Sequence, residues 1–357
     1  MHIPKDFPDL AGCNGFADKV TVMDSMQKPK RIEILGSDGC SYPFLCKSKD
    51  DLRKDACVMR LNTMINHLMQ ANRQTRERNL HIRTYAVVPL NEECGLIQWV
   101  GSTTGIRSIL MNQFKKRNVK IHVNDIKRIL AKTSPSPQEI FTKELLPKYP
   151  SVMHEWFMES FPNPGEWLLN RTAFTRTAAV MSMIGYIIGL GDRHCVNILL
   201  DEKTGDVVHV DFDCLFNQGL LQEKPEVVPF RLTRNMVDAM GVTGYEGTFR
   251  KTCEMTLRLL CEHRDALMSV LEPLVHDLLV EWIRRSYPGN MSLEPIRELA
   301  SMNDHAKKIL DTLRKKLQGK LHGETQLSVE EQVDELIREA TDPGRLFQMF
   351  IGWAAYL

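Results

Sequence analysis

The sequence predicts an α+β chain of two lobes, a small β-rich one followed by a larger helical one with a helical tail. Three observations predict it. Between Val20 and Val100, short β-branched or alternating runs are separated by turn residues. From Gly101 onward apolar residues recur at helical spacing, broken by Pro-rich or polar stretches. Within the helical lobe a single hairpin stands out, Asn197–Leu200 against Val207–Asp213, and acidic residues flank it.

Residues 1–18 carry no clear pattern. Val20–Val22, Arg31–Leu35 and Ser41–Cys46 read as strands, with Gly36-Ser37-Asp38-Gly39 turning the second into the third. Asp51 to about Asn72 is helical, with Leu52, Val58, Leu61, Met64 and Ile65 among its apolar positions. Two further strands are expected near Ile82–Val88 and Cys94–Val100. Helices are expected near 104–116, 123–132 and 138–148, the last two separated by Ser134-Pro135-Ser136-Pro137. Arg171–Ile188 reads as a long core helix in which Met181 and Met183 are filler. Helical patterns also cover about 231–240, 246–262, 265–285 and 293–319, with Pro288-Gly289-Asn290 as a break and Lys320–Thr325 as a loop. Ser328-Val329-Glu330-Glu331 is a capping box opening a helix that lines up Val329, Val333, Leu336, Ile337 and Ala340. Leu346, Met349, Phe350 and Trp353 follow, and so much apolar surface in this last stretch implies docking.

The hairpin carries the chemistry. Pairing Leu200 with Val207 across the Asp201–Asp206 turn puts Asn197 opposite Val210, beside Asp211. An amide oxygen and a carboxylate then converge, a donor set for a hard cation carrying phosphates. Asp192 precedes Asn197 by five residues, the spacing of catalytic base and metal-binding Asn in H-R-D-x-x-x-x-N, and Asp211-Phe212 fills the D-F-G position. An ordinary hairpin with acidic ends explains any one of these residues, and the three together poorly. Lys47 ends the third strand, with Asp50 and Asp55 near enough to position an ammonium; Lys49 ranks second.

The 357 residues have a net charge of +1, with 43% apolar and 25% charged side chains. That excludes a disordered composition and gives no general electrostatic reason to bind nucleic acid or anionic lipid. Nine scattered cysteines without C-x-x-C predict reduced thiols, hence cytosol or nucleus. Met1–Pro8 lacks the apolar core of a signal peptide, and the most apolar run, Ala178–Leu190, is too short to span a bilayer.

The order Gly191-Asp192-Arg193-His194, with the run Ala179–Leu190 before it, resembles the phosphatidylinositol 3-kinase-related protein kinases, in particular their DNA-damage checkpoint branch. Leu45–Asp55, Leu80–Val87 and Pro229–Met236 carry the same likeness. The resemblance implies a two-lobed protein-kinase-like (PI3/PI4-kinase) fold: an N-lobe over 1–100 ending in a hinge, a C-lobe over 101–290, a regulatory segment over 291–327 and a FATC tail over 328–357. It implies ATP as phosphate donor, with adenine at Trp99 and Val100 and phosphates near Ser25, Lys28 and Lys47, the last steadied by Asp50 or Asp55. Mg²⁺, or Mn²⁺, is expected on Asn197 and Asp211. Asp192 is the expected base, and His194 the donor to γ-phosphate oxygens. Asp213 replaces the Gly of D-F-G, and Cys195 also departs from the usual residue. The implied substrates are proteins bearing Ser/Thr-Gln, the implied partners a dedicated interacting subunit and activator proteins, the setting nuclear, and the chain a C-terminal region of something longer. No nucleic-acid patch or membrane contact is expected. A lipid kinase shares the fold, but residues 212–230 hold one lysine, Lys224, beside Glu223 and Glu226, where lipid kinases cluster basic side chains. A pseudokinase scaffold is disfavoured because Lys47, Asp192, Asn197 and Asp211 are all present. Residues 212–230 contain no Ser, Thr or Tyr, so a phosphorylation switch has no acceptor there.

Overall fold

A computed structural model describes residues 13–24, 27–286, 295–321, 323 and 325–357. The chain divides into two compact units, residues 1–67 with 83–102, and 68–82 with 103–357.

The first unit is built on an antiparallel sheet of six strands: β1 (Cys13–Phe16), β2 (Thr21–Val22), β3 (Lys30–Gly36), β4 (Ser41–Ser48), β5 (Val87–Pro89) and β6 (Cys94–Gln98). The order is β1-β3-β4-β6-β5, with β2 also on β3. β3 and β4 pair from Lys30↔Cys46 to Leu35↔Ser41 around the expected 36–39 turn. β1 lies in the stretch without a sequence pattern and pairs with β3 in broken register. The strand expected from Ile82 starts instead at Val87, and β6 stops at Gln98. Ala86 still exchanges hydrogen bonds with Gln98, whose backbone donates to Ala86 O at 2.8 Å while its side-chain Oε1 accepts the Ala86 N–H at 2.9 Å. Residues 82–86 belong to no strand. Helix α1 (Arg53–Ala71) begins in this unit and buries Val58, Leu61 and Ile65 at its apolar spacing, with Leu52 buried just before its first residue.

The second unit is mainly helical: α2 (Arg73–Glu77), α3 (Ile106–Lys116), α4 (Val123–Leu130), α5 (Pro137–Glu139), α6 (Met153–Ser160), α7 (Pro164–Ile188), α8 (Arg234–Ala239), α9 (Thr248–Glu262), α10 (Arg264–Ser286), α11 (Pro295–Leu317), α12 (Val329–Thr341) and α13 (Pro343–Gln348). Short π and 3-10 turns continue α5 to Lys148. α6 has no counterpart among the expected helices; it buries Met153 and Phe157, with Phe157 stacking near Phe161 and Phe174. α7 starts earlier than Arg171 because Asn163 caps it and Pro164 occupies its first turn. From Thr177 to Ile188 every residue of α7 is buried, Met181 and Met183 among them. The break expected at Pro288–Asn290 lies outside the described residues.

A small sheet, β7 (Thr103–Gly105), β8 (Ile198–Asp201) and β9 (Val207–His209), interrupts the helices. β8 and β9 pair with Leu200 opposite Val207, the register set by the turn. β7, read from sequence as the start of a helix, adds a third strand with Thr104 opposite Leu200.

Ser328 and Glu331 form the capping box of α12, which buries Val333, Leu336, Ile337 and Ala340. Leu346, Met349, Trp353, Tyr356 and Leu357 are buried too. Phe350, expected with them, is 53% exposed.

Candidate active site

α7 ends at Gly189 in the left-handed region (φ 61°), where a Cβ would lie 2.5 Å from the Asn217 nitrogen. The following loop is held from several sides. Gly191 N–H donates to Cys214 O at 2.8 Å, and Asp192 N–H donates to Glu226 Oε2 at 2.8 Å. Asp192 itself has φ 56°, a conformation uncommon for a residue with a side chain, which persists only where its surroundings fix it. Asn197 Nδ2 donates to Asp192 O at 2.9 Å and lies 3.5 Å from Asp192 Oδ2. His194 Nδ1 accepts the Val196 N–H at 3.2 Å, which assigns the neutral ring's proton to Nε2, 3.8 Å from Asp192 Oδ2.

Arg193, 3% exposed, holds these residues in register. Its Nε donates to Gly191 O at 2.9 Å and one terminal nitrogen to Val210 O at 2.9 Å; the other reaches Asp211 O, and the guanidinium lies 5.7 Å from the Phe212 ring centre. This ends β9 at His209, where the sequence suggested a strand to Asp213: the carbonyls at 210 and 211 turn to the guanidinium, and Asp211 has φ 64°. Val210 N–H still donates to Asn197 O at 3.1 Å, so Asp211 follows directly on the Asn197 pairing.

The donor set fits a hard cation. Asn197 is buried and spends its amide nitrogen on Asp192, which leaves its oxygen uncommitted. The Asp211 carboxylate takes no hydrogen bond or ion pair among the described residues, its main-chain oxygen being the atom held by Arg193. No group of three or more His, Cys, Asp or Glu side chains that could cage a metal occurs among the described residues. One carboxylate and one amide suit an ion that arrives with phosphate ligands and keeps waters, as Mg²⁺ does.

In the first unit Lys47, near the end of β4, pairs with Asp50 at 3.0 Å, with both side chains largely buried. Asp55, in the first turn of α1, is 2% exposed. Lys49 is exposed in a left-handed turn. Trp99 N–H donates to Pro43 O at 2.9 Å, and the Arg31 guanidinium lies 5.2 Å from the Trp99 ring centre. Val100 is half-buried beside it. Lys28 is exposed with φ 46°, and Ser25 lies outside the described residues.

Two residues that sequence reasoning passed over shape the second unit's loop. Glu226 is the acceptor for Asp192; burial pushes its carboxyl above the usual carboxylate range, against the opposing pull of the Asp192 N–H. Arg231, 3% exposed, reaches the tail: it donates to Trp353 O at 2.7 Å, Ala354 O at 2.9 Å and Leu357 O at 3.3 Å, with Cys195 Sγ at 2.8 Å and the Trp353 ring centre at 4.3 Å. Its signal in the sequence is an arginine inside the apolar run Val227–Leu232. α11 touches the same region through Lys316, whose Nζ donates to Tyr186 O at 2.6 Å and Asn217 Oδ1 at 3.2 Å, and burial pulls that amine down to about 8. Cys214 is raised to about 11, chiefly by burial, and no disulfide joins any two of the nine cysteines.

The family model for phosphatidylinositol 3- and 4-kinases matches residues 41–284, and that for the FATC domain matches 326–357. The chain belongs to the phosphatidylinositol 3- and 4-kinase family. Among members of known sequence, it is 52% identical to protein kinase rad3 of Schizosaccharomyces pombe over 99% of its own length and 14% of that protein. It is 45% identical to the serine/threonine-protein kinase ATR of Arabidopsis thaliana over 97% of its length and 13% of that protein, and 40% identical to MEC1 of Candida albicans over 96% and 14%. It thus spans about one seventh of these relatives. Among solved structures of the family, the FAT and kinase domain of CtTel1 superposes with a TM-score of 0.80 at 36% identity, over 97% of this chain and 24% of that one. The kinase relatives are named as protein kinases, which does not favour the lipid-kinase alternative. No helix among the described residues is long and apolar enough to cross a membrane.

Proposed function

We propose that this chain is the catalytic region of an ATP-dependent serine/threonine protein kinase acting in DNA-damage and replication checkpoint signalling. The observation that carries this reading is the convergence of Asp192, Asn197 and Asp211 on one loop and hairpin, each with its reactive oxygen uncommitted to a strong partner. Asp192 orients the substrate hydroxyl and takes its proton as the oxygen attacks the γ-phosphorus. His194, with its proton on Nε2, donates to phosphoryl oxygens as charge spreads over them. Lys47 meets nucleotide phosphates, and Asp50 fixes its ammonium, with Asp55 close by in sequence at the start of α1. Trp99 and Val100 receive the adenine, and Lys28 and Ser25 are the proposed further contacts to the phosphates. Asn197 and Asp211 would hold Mg²⁺ or Mn²⁺, which when bound neutralises charge on the transferring phosphates.

The relatives' names support protein substrates phosphorylated on Ser or Thr; the family resemblance extends the proposal to Ser or Thr before Gln, to a dedicated interacting subunit with activator proteins, and to a nuclear setting. A peptide pair differing in Ser-Gln against Ser-Ala, offered to the purified protein with ATP and Mg²⁺, tests it. Phosphate incorporation into the Ser-Gln peptide alone is expected. Equal rates on both would reject the glutamine requirement, and incorporation into neither, with ATP bound, would reject the kinase.

A further inference from the structure

The Asp192 peptide is gripped at both ends. Asn197 Nδ2 holds its carbonyl at 2.9 Å, and Glu226 Oε2 accepts its N–H at 2.8 Å from a segment 34 residues further along the chain. The second grip is built into the backbone around it. Gly191 and Gly219 line the carboxylate: a Cβ on Gly191 would lie 3.0 Å from Glu226 Oε2, and one on Gly219 3.1 Å. Glu226 N–H donates to Gly219 O at 3.0 Å, which closes the stretch from 219 to 226 on itself. The next carbonyl, Val227 O, accepts from Arg345 of the tail at 2.9 Å, and Arg345 is ion-paired with Glu339 of α12 at 3.0 Å.

A left-handed Asp192 needs this. Without a fixed acceptor for its N–H, the residue relaxes toward the β or right-handed region, and its carboxylate swings away from the direction the loop now gives it. We propose that Glu226 is a positioning residue for phosphoryl transfer, holding the Asp192 peptide in its left-handed conformation so that the base points at the substrate hydroxyl. Through Val227 and Arg345 the same contact ties the tail to the base. This rests on the reading of Asp192 as the base and adds to it the group that sets its direction.

The test uses Glu226→Ala, Glu226→Gln and Asp192→Ala in the intact protein, with the double variant D192A/E226A. Single-turnover phosphorylation is normalised to molecules that bind a non-hydrolysable ATP analogue, so loss of folded protein does not count as loss of rate. Glu226→Ala should lower kcat by about 100-fold, the scale of a 1 Å misplacement, with the ATP-analogue affinity and peptide KM unchanged. Glu226→Gln keeps an oxygen acceptor and should recover most of the rate. The double variant should be no slower than Asp192→Ala, because Glu226 acts through Asp192. If Glu226→Ala keeps near-native kcat while Asp192→Ala is inactive, the positioning role is wrong and the base stands. If Asp192→Ala is active, the reading of the base itself is wrong. Glutamine as damaging as alanine, or a parallel loss of nucleotide affinity, would overturn the positioning role in favour of a general structural one.

Discussion

Replacing Arg231 by alanine should release the tail. The guanidinium is buried with oxygens of three tail residues, the Cys195 sulfur and the Trp353 ring around it. Burial pulls its pKa below the usual guanidinium value, with Cys195, Glu226 and Tyr356 acting in the opposite sense. A hydrogen bond to a charged group contributes about 1.5–3 kcal/mol. Three of them to the tail offset part of a desolvation cost of several kcal/mol, and removing the guanidinium leaves buried tail oxygens without a donor, at about 1–3 kcal/mol each. Since every 1.4 kcal/mol is about tenfold, local opening of the tail should rise by at least about 100-fold. Hydrogen exchange at the hydrogen-bonded amides of Trp353, Ala354 and Leu357 reads this directly. Arg231→Lys should fall between, since one ammonium cannot span carbonyls that a planar fork reaches. Unchanged exchange at those amides in Arg231→Ala, with an unchanged unfolding midpoint, would refute the reasoning.

Other expectations follow from the same geometry. Asp211→Ala should weaken Mg²⁺-dependent ATP binding more than Asn197→Ala, because a carboxylate holds a hard cation better than an amide; equal, metal-independent losses in a Mg²⁺ titration would contradict the two-ligand arrangement. Leu336→Ala, at a fully buried site on α12, should cost about 2–5 kcal/mol in urea unfolding. Phe350→Ser, on the exposed side of the tail, should stay within about 0.5 kcal/mol. His209 is half-buried as a residue, yet its Nδ1 is sealed from solvent without a partner, and burial pulls its pKa down to about 3. The unfolded chain therefore binds a proton below about 6.5 that the folded chain refuses until about 3. Stability from this group is complete above that upper value and is lost as pH falls through the window. Allowing for its partial exposure, a loss of about 1–2 kcal/mol between pH 7 and 5 is expected, absent in His209→Gln. Identical pH slopes for the two proteins would show that His209 is protonated in the folded state.

What was legible in the sequence is what local rules govern. The hairpin register follows from a turn of fixed length, so the pairing of Leu200 with Val207 can be read from the residues alone. The α12 cap is a four-residue pattern, and its buried face is a periodicity. The grouping of Asp192, Asn197 and Asp211 is readable for the same reason, since one loop and one hairpin separate them.

Contacts between distant segments of the chain decided the rest. No spacing announces that Glu226 will accept the Asp192 N–H, or that Arg231 will meet carbonyls more than 120 residues away. β7 forms because β8 offers it an edge, and β9 stops early because Arg193 claims the next two carbonyls. Phe350 shares its neighbours' hydrophobicity and still faces outward, because the 3-10 turn at Ile351–Trp353 sends Trp353 inward instead. The sequence by itself determined which groups could do the chemistry; the tertiary structure alone decided how they are aimed, because a left-handed aspartate and a buried guanidinium are stable only where remote backbone and side chains supply the acceptors.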